Sequence, residues 1–134
     1  MRSVLLLFCL LAATACDENT PTGPTVPLNQ QFTLAPGELV RIGSTSYAVR
    51  FVEVTGDSRC PADAVCIQGG SALVHIQVYD GATAARYELA TGDERRGTIS
   101  HGDLRVGLVE LQPYPFSSSP IQPGDYRATL QTVR

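Results

Sequence analysis

From residue 31 onward the chain alternates apolar and polar positions with a period of two. In residues 71–80 (SALVHIQVYD), Ala72, Val74, Ile76 and Val78 fall on one face, and Leu73, His75, Gln77 and Tyr79 on the other. That period belongs to a half-buried β-strand. Asp80-Gly81 reads as a hairpin turn, and residues 84–90 return with Ala85, Tyr87 and Leu89 inward and Arg86 and Glu88 outward. Further strands are predicted over residues 32–34 and 38–42, around an Ala-Pro-Gly turn, and over 98–100, 104–111 and 125–133. His101-Gly102 turns the chain, and Tyr126, Ala128 and Leu130 share a face of the last strand. In residues 46–55 (SYAVRFVEVT), Tyr47, Val49 and Phe51 alternate until Val52 and Val54 take over. A one-residue phase change moves side chains to the other face, so a β-bulge is expected near Phe51. No window carries a helical stripe. Eight short strands with frequent turns predict an all-β domain over residues 31–134, a single antiparallel β-sandwich or small barrel.

The pattern breaks at the N-terminus. Met1-Arg2-Ser3 is a short positive start, and residues 4–15 (VLLLFCLLAATA) carry no charge. Such a run is too short for a membrane-spanning helix, which takes roughly 20 residues, but it suits the apolar region of a secretory signal peptide. It ends in Ala13-Thr14-Ala15-Cys16, which resembles the lipobox of bacterial lipoproteins. The resemblance implies that residues 1–15 are removed and that Cys16 carries a diacylglyceryl group and an acylated N-terminus, such as palmitate. Ala13 stands where that family most often has leucine, and an ordinary signal-peptidase cut after Ala15 is the alternative. Each buried methylene of such an anchor contributes about 0.8 kcal/mol, so more than one chain holds firmly. The expected location is therefore the bacterial cell envelope, on its periplasmic or cell-surface side, with the membrane as a partner through Cys16. Asp17 resembles an inner-membrane retention signal of enteric bacteria; the choice of membrane stays open.

Residues 17–30 (DENTPTGPTVPLNQ) hold Pro21, Pro24 and Pro27 at three-residue intervals. Such a stretch favours polyproline II at about 3.1 Å per residue, reaching at most ~40 Å. Residues 16–30 are thus expected to be a lipidated N-terminus and flexible tether.

Charge and composition narrow the function. The chain has 134 residues and a formal net charge of −3, and its ten basic residues are all arginine. That balance does not suit a nucleic-acid partner, and the absence of lysine excludes Schiff-base and P-loop chemistry. No G-x-S-x-G, H-E-x-x-H, phosphate loop or dinucleotide fingerprint is present, so neither enzyme activity nor a cofactor is expected. Asp93-Glu94 stands beside Arg95-Arg96 and reads as a solvated, charge-balanced loop. A hydrolase or metal-binding reading would require His75, His101 and an acidic residue to converge; both histidines read as surface residues.

Cys60 and Cys66 lie between the two longest predicted strands. In an exported chain a disulfide is the first expectation, contributing about 2.4 kcal/mol by closing its short loop. The spacing is not that of a C-x-x-C redox motif, and a zinc site lacks further ligands. Asp57 and Arg59 could pair across the start of this loop. The run Asp57-Ser58-Arg59-Cys60-Pro61, with a second cysteine at Cys66 and then a glycine and a strand, is similar to a motif in a group of small uncharacterised bacterial lipoproteins. In that group the second cysteine is followed by a hydrophobic residue, tryptophan, alanine and glycine. This chain has Ile67-Gln68-Gly69-Gly70 instead.

A second conspicuous stretch is residues 112–120 (QPYPFSSSP), where prolines force an extended loop. Tyr114 and Phe116 on it are reasonable binding groups; the plainer alternative is that they fold back over one end of the domain. The resulting expectation is a non-catalytic, lipid-anchored envelope domain. It would bind an envelope protein or other ligand through a surface of Asp57, Arg59, Gln68, Tyr114 and Phe116. A protease-inhibitor-like β-module is the alternative.

Overall fold

A computed structural model describes residues 21–134; the expected signal segment 1–15 and Cys16, the expected lipidation site, lie outside them. The strands are β1 (Thr25–Val26), β2 (Gln31–Leu34), β3 (Leu39–Ile42), β4 (Tyr47–Asp57), β5 (Ala72–Asp80), β6 (Thr83–Ala90), β7 (Thr98–His101), β8 (Leu104–Gln112) and β9 (Arg127–Val133). One sheet has the order β1-β3-β4-β5-β6 and the other β2-β9-β8-β7. The domain is a two-sheet sandwich, not a closed barrel.

The inward faces make the core, as alternation predicts. Val49, Phe51, Val74, Ile76, Val78 and Leu89 from the first sheet are fully buried, as are Leu104, Val106, Ala128 and Leu130 from the second. Leu73, His75, Gln77 and Tyr79 on the other face of β5 are half-buried. The β4–β5 register slips between Phe51 and Glu53, where the phase change in the sequence places a bulge, and again between Val54 and Gly56.

Residues 24–29, expected to belong to the flexible tether, are paired with the sandwich. Thr25–Val26 pairs in parallel with Arg41 and Ile42 of β3, and the Asn29 amide donates to the Thr132 carbonyl at 2.8 Å. Val26 and Leu28 pack against the core, so burial of these two side chains draws the segment onto the sheet. Pro24 suits its place at the edge: it lacks an N–H, and its carbonyl accepts the Arg41 amide at 2.8 Å.

Strand pairing sorts the connections into two poles. Asp57 pairs with Ala72, Leu73 with Ala90 and Gln112 with Arg127. The long connections 58–71, 91–97 and 113–126 therefore leave from one end, here the disulfide pole. The opposite pole carries the tight turns at Gly43, Gly81 and Gly102, all with positive φ.

Candidate functional site

β4 ends at Asp57, and two residues later Arg59 turns back beneath the loop that follows. Arg59 is only 7% exposed. Its Nε donates to Asp57 Oδ1 at 2.8 Å and Nη2 to Asp57 Oδ2 at 2.6 Å, a bidentate pair. Nη1 donates to the Leu111 carbonyl at 2.7 Å and Nη2 also to that of Pro113 at 2.9 Å. The guanidinium lies over the Tyr114 ring, 5.1 Å from its centroid. One cation thus ties the start of the cysteine loop to the end of β8 on the other sheet.

Asp57 also accepts the Tyr126 hydroxyl at 3.1 Å. Burial by itself pushes the Asp57 carboxyl up, but the Arg59 hydrogen bonds and charge, with the Tyr126 hydroxyl, outweigh it and hold the group below its ordinary value. Burial and the Asp57 charge push the Tyr126 phenol up. Both shifts favour an ionised Asp57 and a protonated Tyr126 phenol, the states in which the hydroxyl donates to the carboxylate. The expected pairing of these residues is present, but Arg59 is a buried clamp and not an exposed contact.

Cys60 and Cys66 form the expected disulfide, with Cα atoms 5.9 Å apart. Within the loop the Ala62 amide donates to the Pro115 carbonyl at 2.9 Å. The Ser117 amide and hydroxyl donate to Asp63 Oδ1 at 2.9 and 3.1 Å, and the amide bond holds the Asp63 carboxyl below its ordinary value. The cysteine loop and the proline-rich loop are therefore docked on each other. The base of the cysteine loop closes where Ser58 exchanges hydrogen bonds with Ser71. Gly70 is required there, because a Cβ on it would sit 1.8 Å from the Ser58 carbonyl oxygen.

The docked loops form one wall of an open cleft of about 800 Å³, lined by Arg59 and Tyr114, by Asp93 and Glu94 of the 91–97 loop, and by Val109 and Glu110 of β8 among others. A volume of that order accommodates a small molecule or a few residues of peptide. Its acidic side chains outnumber the single arginine, whose charge Asp57 already balances. The cleft therefore offers an apolar and aromatic surface and a negative field.

The remaining expected site residues fall as follows. Gln68 is exposed on the segment after the disulfide. Tyr114 and Phe116 are 49% and 52% exposed, so neither folds fully back over the end of the sandwich. His75 and His101 are half-buried, and one ring nitrogen of each is hydrogen-bonded. His75 Nε2 meets the Thr55 hydroxyl at 2.7 Å, and His101 Nδ1 meets the Tyr87 hydroxyl at 2.7 Å. Among the described residues no three His, Cys, Asp or Glu side chains group to hold a metal ion, and no helix is long and apolar enough to cross a membrane.

Two features escape sequence reasoning. Asp93 and Glu94, read as plain solvated charge, line the cleft. Val65 and Ile67, on either side of Cys66, are fully exposed; the available signal was two large apolar residues in a loop too short to bury them. Comparison of the chain with protein-family models, with curated proteins and with solved structures found no match.

Proposed function

We propose that the protein is a non-catalytic, lipid-anchored binding protein of the bacterial cell envelope. Its ligand, a small molecule or short peptide with apolar and cationic groups, occupies the cleft beside Arg59 and Tyr114. The observation that carries this reading is the clamp: Arg59 makes four hydrogen bonds to Asp57, Leu111 and Pro113 and stacks on Tyr114. A wall preorganised in this way lowers the entropy cost of binding. The acidic side chains at the cleft favour a cationic group over an anionic one. The Cys16 lipobox and the export it implies supply the location.

Site-specific photo-crosslinking in the living cell tests the cleft. A photo-reactive phenylalanine analogue replacing Val109, which lines the cleft, is expected to give a discrete adduct that Tyr114→Ala removes. The same analogue at Ala82, on the opposite pole, is the control. Equal labelling from both positions would defeat the cleft as the binding site. The anchor is tested by metabolic palmitate labelling: incorporation should vanish in Cys16→Ser, and a parent chain that takes up no label would defeat lipidation.

A further inference from the structure

Four of the five large exposed hydrophobic side chains among the described residues are Val65, Ile67, Tyr114 and Phe116. All four sit on the two loops that dock through Ala62–Pro115 and Asp63–Ser117. The loops thus carry a common apolar crest at the disulfide pole. Such a patch on a soluble domain marks an interaction surface. From Cys60 to Gln68 and from Pro113 to Pro120 the only charged residue is Asp63, and Ser117 already occupies it.

The position of the chain leading to Cys16 identifies what covers the crest. β4 runs toward the crest and ends at Asp57. β3 is antiparallel to β4, and β1 is parallel to β3. Residues 21–24, which precede β1, therefore lie on the crest side. The chain is already seated on the sheet at Gly23, where an added Cβ would stand 2.5 Å from the Leu39 carbonyl oxygen.

Leu39 pairs with Arg50. On β5, the partners of Arg50 and Asp57 are Gln77 and Ala72, so the level of Asp57 lies about 17 Å further toward the crest. The seven residue steps from Gly23 back to Cys16 span at most about 25 Å. A chain of that length can span from the level of Gly23 to that of Asp57, at the foot of the crest. Reach alone would also allow the opposite pole, and both poles carry exposed charge, Asp93 to Arg96 on the 91–97 loop and Asp103, Arg105 and Arg134 opposite. Only the disulfide pole adds large exposed apolar side chains on its loops, and these favour transfer into lipid.

We infer that the Val65, Ile67, Tyr114 and Phe116 crest inserts into the interfacial layer of the bilayer that holds Cys16, standing the domain on its disulfide pole. This rests on the lipid-anchor reading above. Aromatic side chains favour the membrane interface, and a crest with so little charge requires no anionic lipid. The cleft beside Tyr114 then opens close to the membrane surface, so its ligand is met there.

The chain has no tryptophan, so Ile67→Trp places a lone reporter on the crest, at a side chain whose full exposure makes the change harmless to folding. The full-length variant, processed in cells and reconstituted through its own anchor into phosphatidylcholine vesicles, should emit at shorter wavelength than in detergent-free buffer-exposed peptide standards. Lipids brominated near the headgroup should quench it. Ala82→Trp at the opposite pole should emit as in water and escape that quenching. Solvent-like emission from Ile67→Trp in the anchored protein would overturn crest insertion. So would a shielded emission that brominated lipid leaves unquenched, since a protein partner or a second copy then covers the crest. Fractionation of Cys16→Ser reports on the anchor separately: a parent chain found in the soluble fraction defeats the lipid reading whatever the tryptophan shows.

Discussion

The two poles of the sandwich join strands in opposite ways. At the pole of Gly43, Gly81 and Gly102 the turns are tight, and single side-chain contacts fasten one turn to the next. Ser46 donates to Asp80, and Tyr47, whose hydroxyl donates to Asp103 at 2.8 Å, ties the two sheets together. The disulfide pole joins equally regular strands with long loops. It holds them by contacts between residues far apart in sequence: Arg59 to Leu111 and Pro113, Ala62 to Pro115, and Asp63 to Ser117. Long loops are tolerated when a scaffold positions them, and binding residues gather there. The contrast shows where this chain departs from the minimum needed to fold, and the cleft and crest both lie at that departure.

The largest expected effect falls on the clamp. Arg59→Met leaves the Asp57 carboxylate buried without its partner and deprives two carbonyls of their donors. A loss of about 3–5 kcal/mol is expected, read from urea denaturation, with part of it recovered in the double variant Asp57→Asn, Arg59→Met. A loss below about 1 kcal/mol, the ordinary worth of an exposed pair, would mean that the pole does not depend on this ion pair.

Acid separates the poles in the same experiment. The Asp57 carboxyl is held below its ordinary value in the folded chain, so its contribution is fully present above its unfolded value of about 3.9. That contribution is lost as pH falls through the folded value. Asp103 on the opposite pole is also held low, by the Tyr47 hydroxyl and then by Arg134, but it is more exposed to solvent. Asp57→Asn should therefore flatten the acid limb of the stability profile more than Asp103→Asn. Equal flattening would remove the distinction between a buried and a solvated pair.

Next comes the disulfide. The double variant Cys60→Ser, Cys66→Ser should lose about 2.4 kcal/mol if the bond acts by restricting the unfolded chain. Locally, amide exchange should quicken at Ala62 and Ser117, which depend on the loop's shape, and stay slow at the Gly81 turn. Uniform acceleration across both poles would show that the bond holds the whole fold and not one loop.

How far the sequence foretold this molecule depends on the range of the interaction. Alternation placed Ala72, Val74, Ile76 and Val78 in the core because facing follows from a period of two and needs no partner. The bulge near Phe51 was legible as a change of phase. β1 was not, because two residues amid prolines show no period, and their pairing is decided by where β3 lies. Asp57 and Arg59 could be paired by proximity, yet the burial of Arg59 depends on carbonyls more than fifty residues away. The cleft is assembled from three separate stretches of chain, and only the one that holds Arg59 carries a motif. The exposure of Val65 and Ile67 could be suspected from the shortness of their loop, but the docking that sets them beside Tyr114 and Phe116 is encoded by no local pattern.

The smallest expected effect is a change of sign. Thr132 in β9 is fully buried and its Oγ1 has no hydrogen-bond partner among the described residues. At the disulfide pole, Thr91 Oγ1 accepts the Ala72 amide at 2.9 Å. Replacing either threonine by valine deletes one hydroxyl and adds one methyl. At Thr132 the change removes an uncompensated polar group, so a gain of about 1 kcal/mol is expected. At Thr91 it strips an amide of its acceptor at the base of the cleft, so a loss of about 1 kcal/mol is expected. Thermal unfolding of the two single variants and their double makes the check, and the two sites are far enough apart in the fold for their effects to add. If both shifts have the same sign, what decides the outcome is the valine itself and not the hydrogen bonding at each site.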